Sequence, residues 1–275
     1  MSDSDSTISQ AADAVEEASN HPALDVLART GFAVLALLHV IIGAIAIAVA
    51  FGQPGEAEPT GAIEQLAANP WGPVVMWLCV AACIGLGLWQ ASEATLRARR
   101  LPRKERVAKL ISSGFLAVAY TSVGLSFAGF AVGLRGDSSE STRDFSASLM
   151  ATPLGLWALV ALGLTIIGIG IYFVFKGVRR GFKEELFHFD GTRRGRLIDT
   201  LGVTGHISKG VALGLTGLLF VIAAAKHSPE ESTGLDGGLK ALRDHPFGPY
   251  VLVAIGAGFI AYGIFALIRS RFGRM

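Results

Sequence analysis

The chain has 275 residues, of which 51% are hydrophobic and 17% are charged, and its formal net charge is +2. Soluble domains carry about 25% charged residues, so this composition argues against a soluble globular protein, and the small net charge gives no support for a nucleic-acid partner. The only cysteines, Cys79 and Cys83, share one apolar run, which excludes a disulfide framework. Long apolar runs between short charged loops instead indicate a polytopic membrane protein.

The N-terminal residues 1–25 are acidic and rich in Ser and Ala, without the basic segment of a cleavable signal peptide. They are predicted to form a disordered cytoplasmic tail. Six apolar segments follow, each long enough to cross about 30 Å of hydrocarbon as a helix. Helix is the expected state because an open strand would leave backbone groups unpaired in lipid. The predicted transmembrane helices cover residues 31–51, 73–91, 111–133, 154–175, 206–225 and 249–268.

Lysine and arginine are distributed very unevenly between the two sides of these spans. Counted by loop, 19 of them, Lys209 included, flank one side and five flank the other. The positive-inside rule then places both termini in the cytoplasm. Sites for lipid headgroups or polyanions are the alternative interpretation of the basic clusters, although topology alone accounts for them. A bacterial inner, or plasma, membrane is the expected location.

A short motif recurs before the second, fourth and sixth spans. It reads Asn-Pro-Trp-Gly-Pro, then Thr-Pro-Leu-Gly, then His-Pro-Phe-Gly-Pro, and a glycine stands 17 residues after each proline. The first helix of each pair carries an aligned glycine as well, at Gly43, Gly124 and Gly217. The motif residues, to which we assign a structural role, are Pro70, Gly72, Gly87, Pro153, Gly155, Gly170, Pro246, Gly248 and Gly263.

The chain is therefore predicted to contain three parallel two-helix repeats, at residues 26–100, 108–183 and 199–272, in an all-α bundle with pseudo-threefold symmetry about the membrane normal. Asn69 and Thr152 are expected to cap the second helix of their repeats, with proline in the first turn. The stretch before each proline predicts a brief amphipathic helix on the outer surface. A ligand lid is the alternative for this element.

These features resemble the bacterial domain-of-unknown-function family 1206. The resemblance rests on the paired glycines of the first helices, the short outer helix and the Pro-(aromatic)-Gly start, each present three times between residues 27 and 270. The second repeat departs from the pattern, because its outer segment at residues 143–149 fits loosely. The resemblance implies a bacterial inner-membrane protein and supplies no activity.

One weak candidate for a metal or haem site can be drawn inside the spans. His39 lies eight residues into the first helix, and Cys79 and Cys83 lie one turn apart at a similar depth on the second. Zinc would require a fourth ligand, and the repeats place Tyr120 and Leu213 at the positions equivalent to His39. A neutral histidine bonded to a neighbouring helix is therefore preferred, and no metal or cofactor is predicted.

The remaining polar residues give no enzyme signature. No Asp, Glu, Lys or Arg occupies the middle of a predicted span, Glu93 and Lys209 are placed at cytoplasmic ends, and His206, His227 and His245 are expected to be solvated at interfaces. The chain has no HExxH, GxSxG or P-loop motif. Hydroxyls inside the spans are read as helix contacts or as the lining of a central pathway: Thr121, Ser122, Ser126, Thr165 and Thr216.

Two functions remain open from the sequence. The first is a non-enzymatic structural or partner-binding bundle, which meets the lipid bilayer and a membrane-protein partner or a second copy of itself. The second is a passive pore or transporter for a small solute along the pseudo-threefold axis. A polar cavity lined by the hydroxyls would favour the pathway, and an apolar filling would favour the bundle.

Overall fold

The computed structural model describes residues 22–97, 102–134, 138–186 and 193–273. Over these residues the chain is helical, without a strand, and has one isolated antiparallel bridge between Leu186 and Gly273. Residues 1–21 of the predicted N-terminal tail lie outside the described part.

Nine α-helices form in the described residues. In chain order they are α1 (Pro22–Ala50), α2 (Pro59–Ala67), α3 (Gly72–Ser92), α4 (Arg103–Ala131), α5 (Ser138–Met150), α6 (Pro153–Val178), α7 (Arg193–Lys226), α8 (Gly234–Arg243) and α9 (Gly248–Phe272). Six of them, α1, α3, α4, α6, α7 and α9, are long and apolar enough to cross a membrane. The predicted all-α class and the six spanning helices are confirmed, and the chain is a multi-pass membrane protein.

Several spanning helices extend well beyond the predicted spans at their basic ends. Helix α4 begins at Arg103 rather than at residue 111, and α7 begins at Arg193 rather than at residue 206. A hydropathy pattern reports only the lipid-embedded length, whereas the backbone hydrogen bonds of a helix continue into water without a change of geometry. The basic clusters therefore lie largely on helical extensions and not on irregular loops.

The three short helices α2, α5 and α8 each precede a Pro-x-Gly motif. In α2, Ala62 and Ile63 are buried while Glu64 and Gln65 are exposed, and in α8 Leu239 is fully buried. This one-sided burial is typical of a helix that lies on an apolar surface.

The chain divides into two compact units, which share α1. Among the described residues, the first comprises 22–34, 66–97 and 102–134. In it, the Phe32 ring meets the rings of Trp89 and Tyr120 edge-on, with centroids 6.2 and 6.3 Å away. These contacts pack the start of α1 against α3 and α4.

The second unit comprises Leu35–Gln65 and Arg135–Arg274. One apolar cluster joins the C-terminal half of α1 to α7, α8 and α9. The buried members are Ile45, Ala46, Val49, Ala57, Ala212, Leu239, Leu252, Ile255 and Phe259. Aliphatic and aromatic side chains therefore fill the space beneath α8.

Candidate functional site

Each Pro-x-Gly glycine packs directly against the carbonyl of the preceding short helix. A Cβ on Gly72, Gly155 or Gly248 would overlap the backbone oxygen of Ala67, Leu149 or Leu242, respectively. Only glycine allows this close approach, because any side chain would push the short helix away from the spanning helix. The motif therefore fixes a tight turn between the two helices in all three repeats.

The helix start differs in detail between the repeats. In the second, the Thr152 hydroxyl accepts a hydrogen bond from Gly155 N at 3.0 Å, and Pro153 begins α6, as the sequence predicted. In the first, α3 begins at Gly72 after Trp71, and the backbone oxygen of Asn69 accepts from Gly72 N at 2.7 Å. The predicted cap role of Asn69 is therefore wrong, because its backbone rather than its side chain satisfies this donor.

The glycine 17 residues after each proline lies at a helix crossing. A Cβ on Gly87 would lie 3.3 Å from Ala117 O on α4, and a Cβ on Gly170 would lie 2.6 Å from Gly210 O on α7. A Cβ on Gly263 would likewise lie 2.6 Å from the oxygen of Ala36 on α1. In all three cases, the second helix of one repeat packs on the first helix of another.

The aligned glycines of the first helices lie on the same crossings. A Cβ on Gly43 would lie 2.5 Å from Gly256 O on α9, and one on Gly217 would lie 2.6 Å from Gly163 O on α6. On Gly124 it would lie 3.0 Å from Ile84 Cδ1 on α3. Gly43 and Gly217 are thus points of close backbone approach, as small residues are in membrane helix packing, whereas Gly124 makes room for the Ile84 side chain.

Three of the five span hydroxyls donate hydrogen bonds to their own helices. Ser126 Oγ donates to Ser122 O at 3.1 Å, and Thr165 Oγ1 donates to Ala161 O at 2.7 Å. Thr216 Oγ1 donates to Ala212 O at 3.1 Å. This bonding to the preceding turn is the usual way in which a membrane helix satisfies a hydroxyl, so these groups need no solvent-filled route.

The residues of the metal hypothesis fall in different units, His39 in the second and both cysteines in the first. His39 Nδ1 lies 2.7 Å from Leu35 O of its own helix, and not of a neighbouring helix as predicted. Cys79 and Cys83 are buried free thiols. Among the residues that the structure describes, no three His, Cys, Asp or Glu side chains are grouped as metal ligands.

A cluster of cationic, imidazole and aromatic groups, missed by the sequence analysis, lies in the second unit. We call it the Lys209 cluster, and it consists of His39, Phe173, His206, Lys209 and Tyr262. Lys209 Nζ lies 4.9 Å from the Phe173 ring centroid, 4.4 Å from that of Tyr262 and 3.3 Å from the Tyr262 oxygen. The ammonium therefore interacts with two ring faces, instead of extending to a loop.

His206 is buried, which corrects the expectation that it is solvated at an interface. Its ring stacks on Phe182 at 5.1 Å and meets Tyr262 and Phe265 edge-on. Its Nδ1 lies 2.7 Å from Gly202 O, and since a carbonyl can only accept, this nitrogen carries the proton. His206 precedes Lys209 by three residues on α7. Residues at this spacing share one face of a helix, so the sequence contained a signal that the two side chains lie close together.

On the second unit, α8 is joined to the segment before α2 by buried polar contacts. Asp236 Oδ1 accepts from Ala57 N at 2.9 Å, and Asp236 Oδ2 pairs with Lys240 Nζ at 2.5 Å. Ser139 Oγ, at the start of α5, donates to Thr233 O at 3.2 Å. Polar contacts therefore connect α8 both to the segment before α2 and to the start of α5.

These observations define a class of protein, a six-helix multi-pass membrane protein built from three two-helix repeats. The family model described as Domain of Unknown Function (DUF1206) matches residues 30–97, 111–180 and 204–273. The chain belongs to this family, which confirms the resemblance. It is also 25% identical to an uncharacterized protein of Bacillus subtilis (strain 168), YxxB, over 252 residues that cover 90% of each chain. No solved structure matches the chain.

Proposed function

We propose that the protein is a non-enzymatic structural or partner-binding bundle of the bacterial plasma membrane. The observation that carries this proposal is the apolar filling of the second unit, where Val49, Leu239, Leu252 and Phe259 are buried together beneath α8. A solute route needs wet, polar lining groups, whereas a scaffold needs rigid packing.

The bundle has pseudo-threefold symmetry in this proposal. Support comes from the three glycine crossings, in which Gly87 faces Ala117, Gly170 faces Gly210 and Gly263 faces Ala36. These partners occupy equivalent positions in the first helices of the three repeats. The second helix of each repeat therefore packs on the first helix of the next, and the third repeat packs on the first.

Both termini are cytoplasmic in this proposal. The basic ends of α4, α6, α7 and α9 support this orientation through the positive-inside rule. At the opposite ends, the residue inside each Pro-x-Gly motif is highly exposed: Trp71 is 75%, Leu154 is 81% and Phe247 is 77% exposed. Exposed aromatic side chains at helix ends are typical of the membrane–water interface.

Labelling of cysteine variants tests the orientation. In a background with Cys79 and Cys83 replaced by Ala, Arg103→Cys should stay unlabelled by an impermeant maleimide on intact cells. His227→Cys, at the other end of α7, should be labelled under the same conditions, because His227 is exposed there. Labelling of Arg103→Cys with protection of His227→Cys would reverse the orientation.

The second candidate, a passive route for a small solute, is favoured by one observation. The Lys209 cluster places an ammonium, a phenol and two imidazoles together within one unit of a membrane bundle. Ionisable groups inside membrane proteins often mark permeation or proton pathways.

Reconstitution separates the two functions. Purified protein in liposomes should pass protons, potassium ions and glycerol no faster than protein-free liposomes do. Flux above that background, reduced by Lys209→Met, would support the route and contradict the scaffold.

If the protein binds a partner, the partner must contact the exposed surface of the bundle. A photo-crosslinking amino acid at Leu164, which is exposed on α6, should form a protein adduct in cells. The matched control is Leu159 on the same helix, which is fully buried and should form none. Lipid adducts alone at Leu164 would remove a protein partner or a second copy from that face.

A further inference from the structure

A cavity of about 440 Å³ lies beside the first turns of α7, within the second unit. It is lined by Arg180, Arg196, Asp199, Thr200, Val203 and Thr204. It contains none of the span hydroxyls and none of the Lys209 cluster, so the arguments above leave it unexplained.

The charges around this cavity are unbalanced. Asp199 Oδ2 pairs with Lys183 Nζ at 2.8 Å, and the Arg180 guanidinium lies 3.7 Å from the same oxygen. Arg196 forms no ion pair with any residue in the described part of the chain. Among the described residues that line the cavity, two guanidinium groups therefore accompany one carboxylate, which also pairs with Lys183.

Arg180 adopts a backbone conformation that favours glycine. Its φ is 55° and its ψ is 29°, immediately after the end of α6. Glycine is the usual residue at this position after a helix, because a Cβ is unfavourable in the left-handed region. The chain turns at Arg180, and the residue that occupies this left-handed position also lines the cavity.

Apolar groups lie beside the charged ones. Val203 lines the cavity, and Leu197 is exposed on the neighbouring turn of α7. The hydroxyls of Thr200 and Thr204 donate to the carbonyls of Arg196 and Thr200, respectively, at 3.0 and 2.8 Å. The guanidinium groups are therefore the donors available to a ligand, next to a surface that suits hydrocarbon.

We propose that this cavity binds the phosphate of an anionic phospholipid, held by the guanidinium groups of Arg180 and Arg196. Arginine binds phosphate oxygens through two parallel hydrogen bonds, which suits a headgroup at the end of a spanning helix. The excess positive charge selects an anionic headgroup over a zwitterionic one. The site requires membrane insertion of the chain and does not depend on the scaffold role.

The test uses full-length protein, delipidated in detergent and titrated with phosphatidylglycerol, phosphatidylcholine or inorganic phosphate. Native mass spectrometry counts bound lipid, and thermal unfolding measures the shift in Tm. Phosphatidylglycerol should bind about tenfold more tightly than phosphatidylcholine, the difference made by about one charged hydrogen bond. An equal shift with inorganic phosphate, without lipid binding, would assign the site to a free anion and overturn the lipid.

Arg180→Gly separates lipid binding from folding. The variant relieves the left-handed strain, so its Tm without lipid should equal or exceed that of the parent, while phosphatidylglycerol binding falls about tenfold. The control is His227→Gly, since His227 has the other positive φ of a non-glycine residue, 52°. It should keep lipid binding, and a loss there equal to that of Arg180→Gly would overturn the proposal.

Arg196→Gln tests the second guanidinium against a matched surface charge. Its control is Arg194→Gln, because Arg194 is exposed on the same turn and does not line the cavity. Phosphatidylglycerol binding should fall about tenfold for Arg196→Gln and less than twofold for Arg194→Gln. Equal losses in the two variants would mean that general surface charge, and not this cavity, attracts the lipid.

Discussion

Lys209 Nζ and the hydroxyl of Tyr262 lie 3.3 Å apart, and the same ammonium lies 4.4 Å from the centre of the Tyr262 ring. One tyrosine thus supplies both a hydrogen-bond acceptor and a π face to a lysine on another spanning helix. An ammonium in a membrane bundle is costly unless it has such partners. Tyr262 is therefore expected to contribute to stability chiefly through its contacts with Lys209.

The two residues should be strongly coupled in stability. We expect Tyr262→Leu to lower the free energy of unfolding by about 2–4 kcal/mol, because it removes the hydroxyl and one of the two rings that the ammonium contacts. Lys209→Met should be neutral or stabilising, and the double variant should be more stable than Tyr262→Leu alone. Thermal unfolding in detergent measures all three. Tyr250→Leu, at an exposed tyrosine on the same helix, is the control, and a cost as large as that of Tyr262→Leu would argue against the coupling.

The glycine crossings should tolerate no added methyl group. Gly170→Ala should lower the free energy of unfolding by about 1–3 kcal/mol, because its Cβ would lie 2.6 Å from Gly210 O. Gly168 precedes Gly170 by two residues and therefore lies on a different side of α6. An added Cβ on Gly168 would have nothing within 4 Å. Gly168→Ala should therefore be neutral or stabilising by up to about 1 kcal/mol. Equal effects of the two substitutions on thermal unfolding would contradict a close α6–α7 approach at Gly170.

Asp236 should stabilise the attachment of α8 to the segment before α2. Asp236→Ala leaves the buried N–H of Ala57 without its acceptor, at a cost of about 2–3 kcal/mol in unfolding free energy. Asp236→Asn keeps an acceptor oxygen and loses only the pairing with Lys240, so it should recover more than half of that cost. Asp244→Ala, at an exposed carboxylate, provides the baseline for thermal unfolding. No gain from alanine to asparagine would show that the Ala57 contact contributes little.

The weak metal hypothesis can be tested through His39. Because His39 Nδ1 contacts only the carbonyl of Leu35 on its own helix and its ring lies among Phe259 and Tyr262, His39→Phe should cost less than about 1 kcal/mol. Treatment with a chelator should leave thermal unfolding of the parent protein unchanged. If the purified protein contained stoichiometric metal and His39→Phe lost it, the result would support the metal-site hypothesis.

The sequence predicted the spanning helices and the three repeats well, because hydropathy and the repeated Pro-x-Gly motif each report a local property. The glycines at Gly87, Gly170 and Gly263 were found by spacing alone. Their partners were not, since a repeat alignment shows which positions are equivalent and not which ones touch.

The Lys209 cluster was missed for a different reason. Its groups come from α1, α6, α7 and α9, and no local pattern joins residues so far apart in the chain. Hydropathy also placed Lys209 near the edge of an apolar window, although it lies 16 residues after Arg193, the start of α7. The hydrogen bond between Asp236 and Ala57 joins residues 179 positions apart, so no local sequence pattern could predict it either.

The crossing between α9 and α1 has a consequence for biosynthesis. Gly263 and Gly256 of α9 pack on Ala36 and Gly43 of α1, so α1 meets this partner only after the chain between the two helices and α9 itself have been translated. A nascent chain halted before α9 would present the Gly43 face of α1 to lipid or to other proteins. Formation of this crossing therefore distinguishes a chain that includes α9 from one that stops before it.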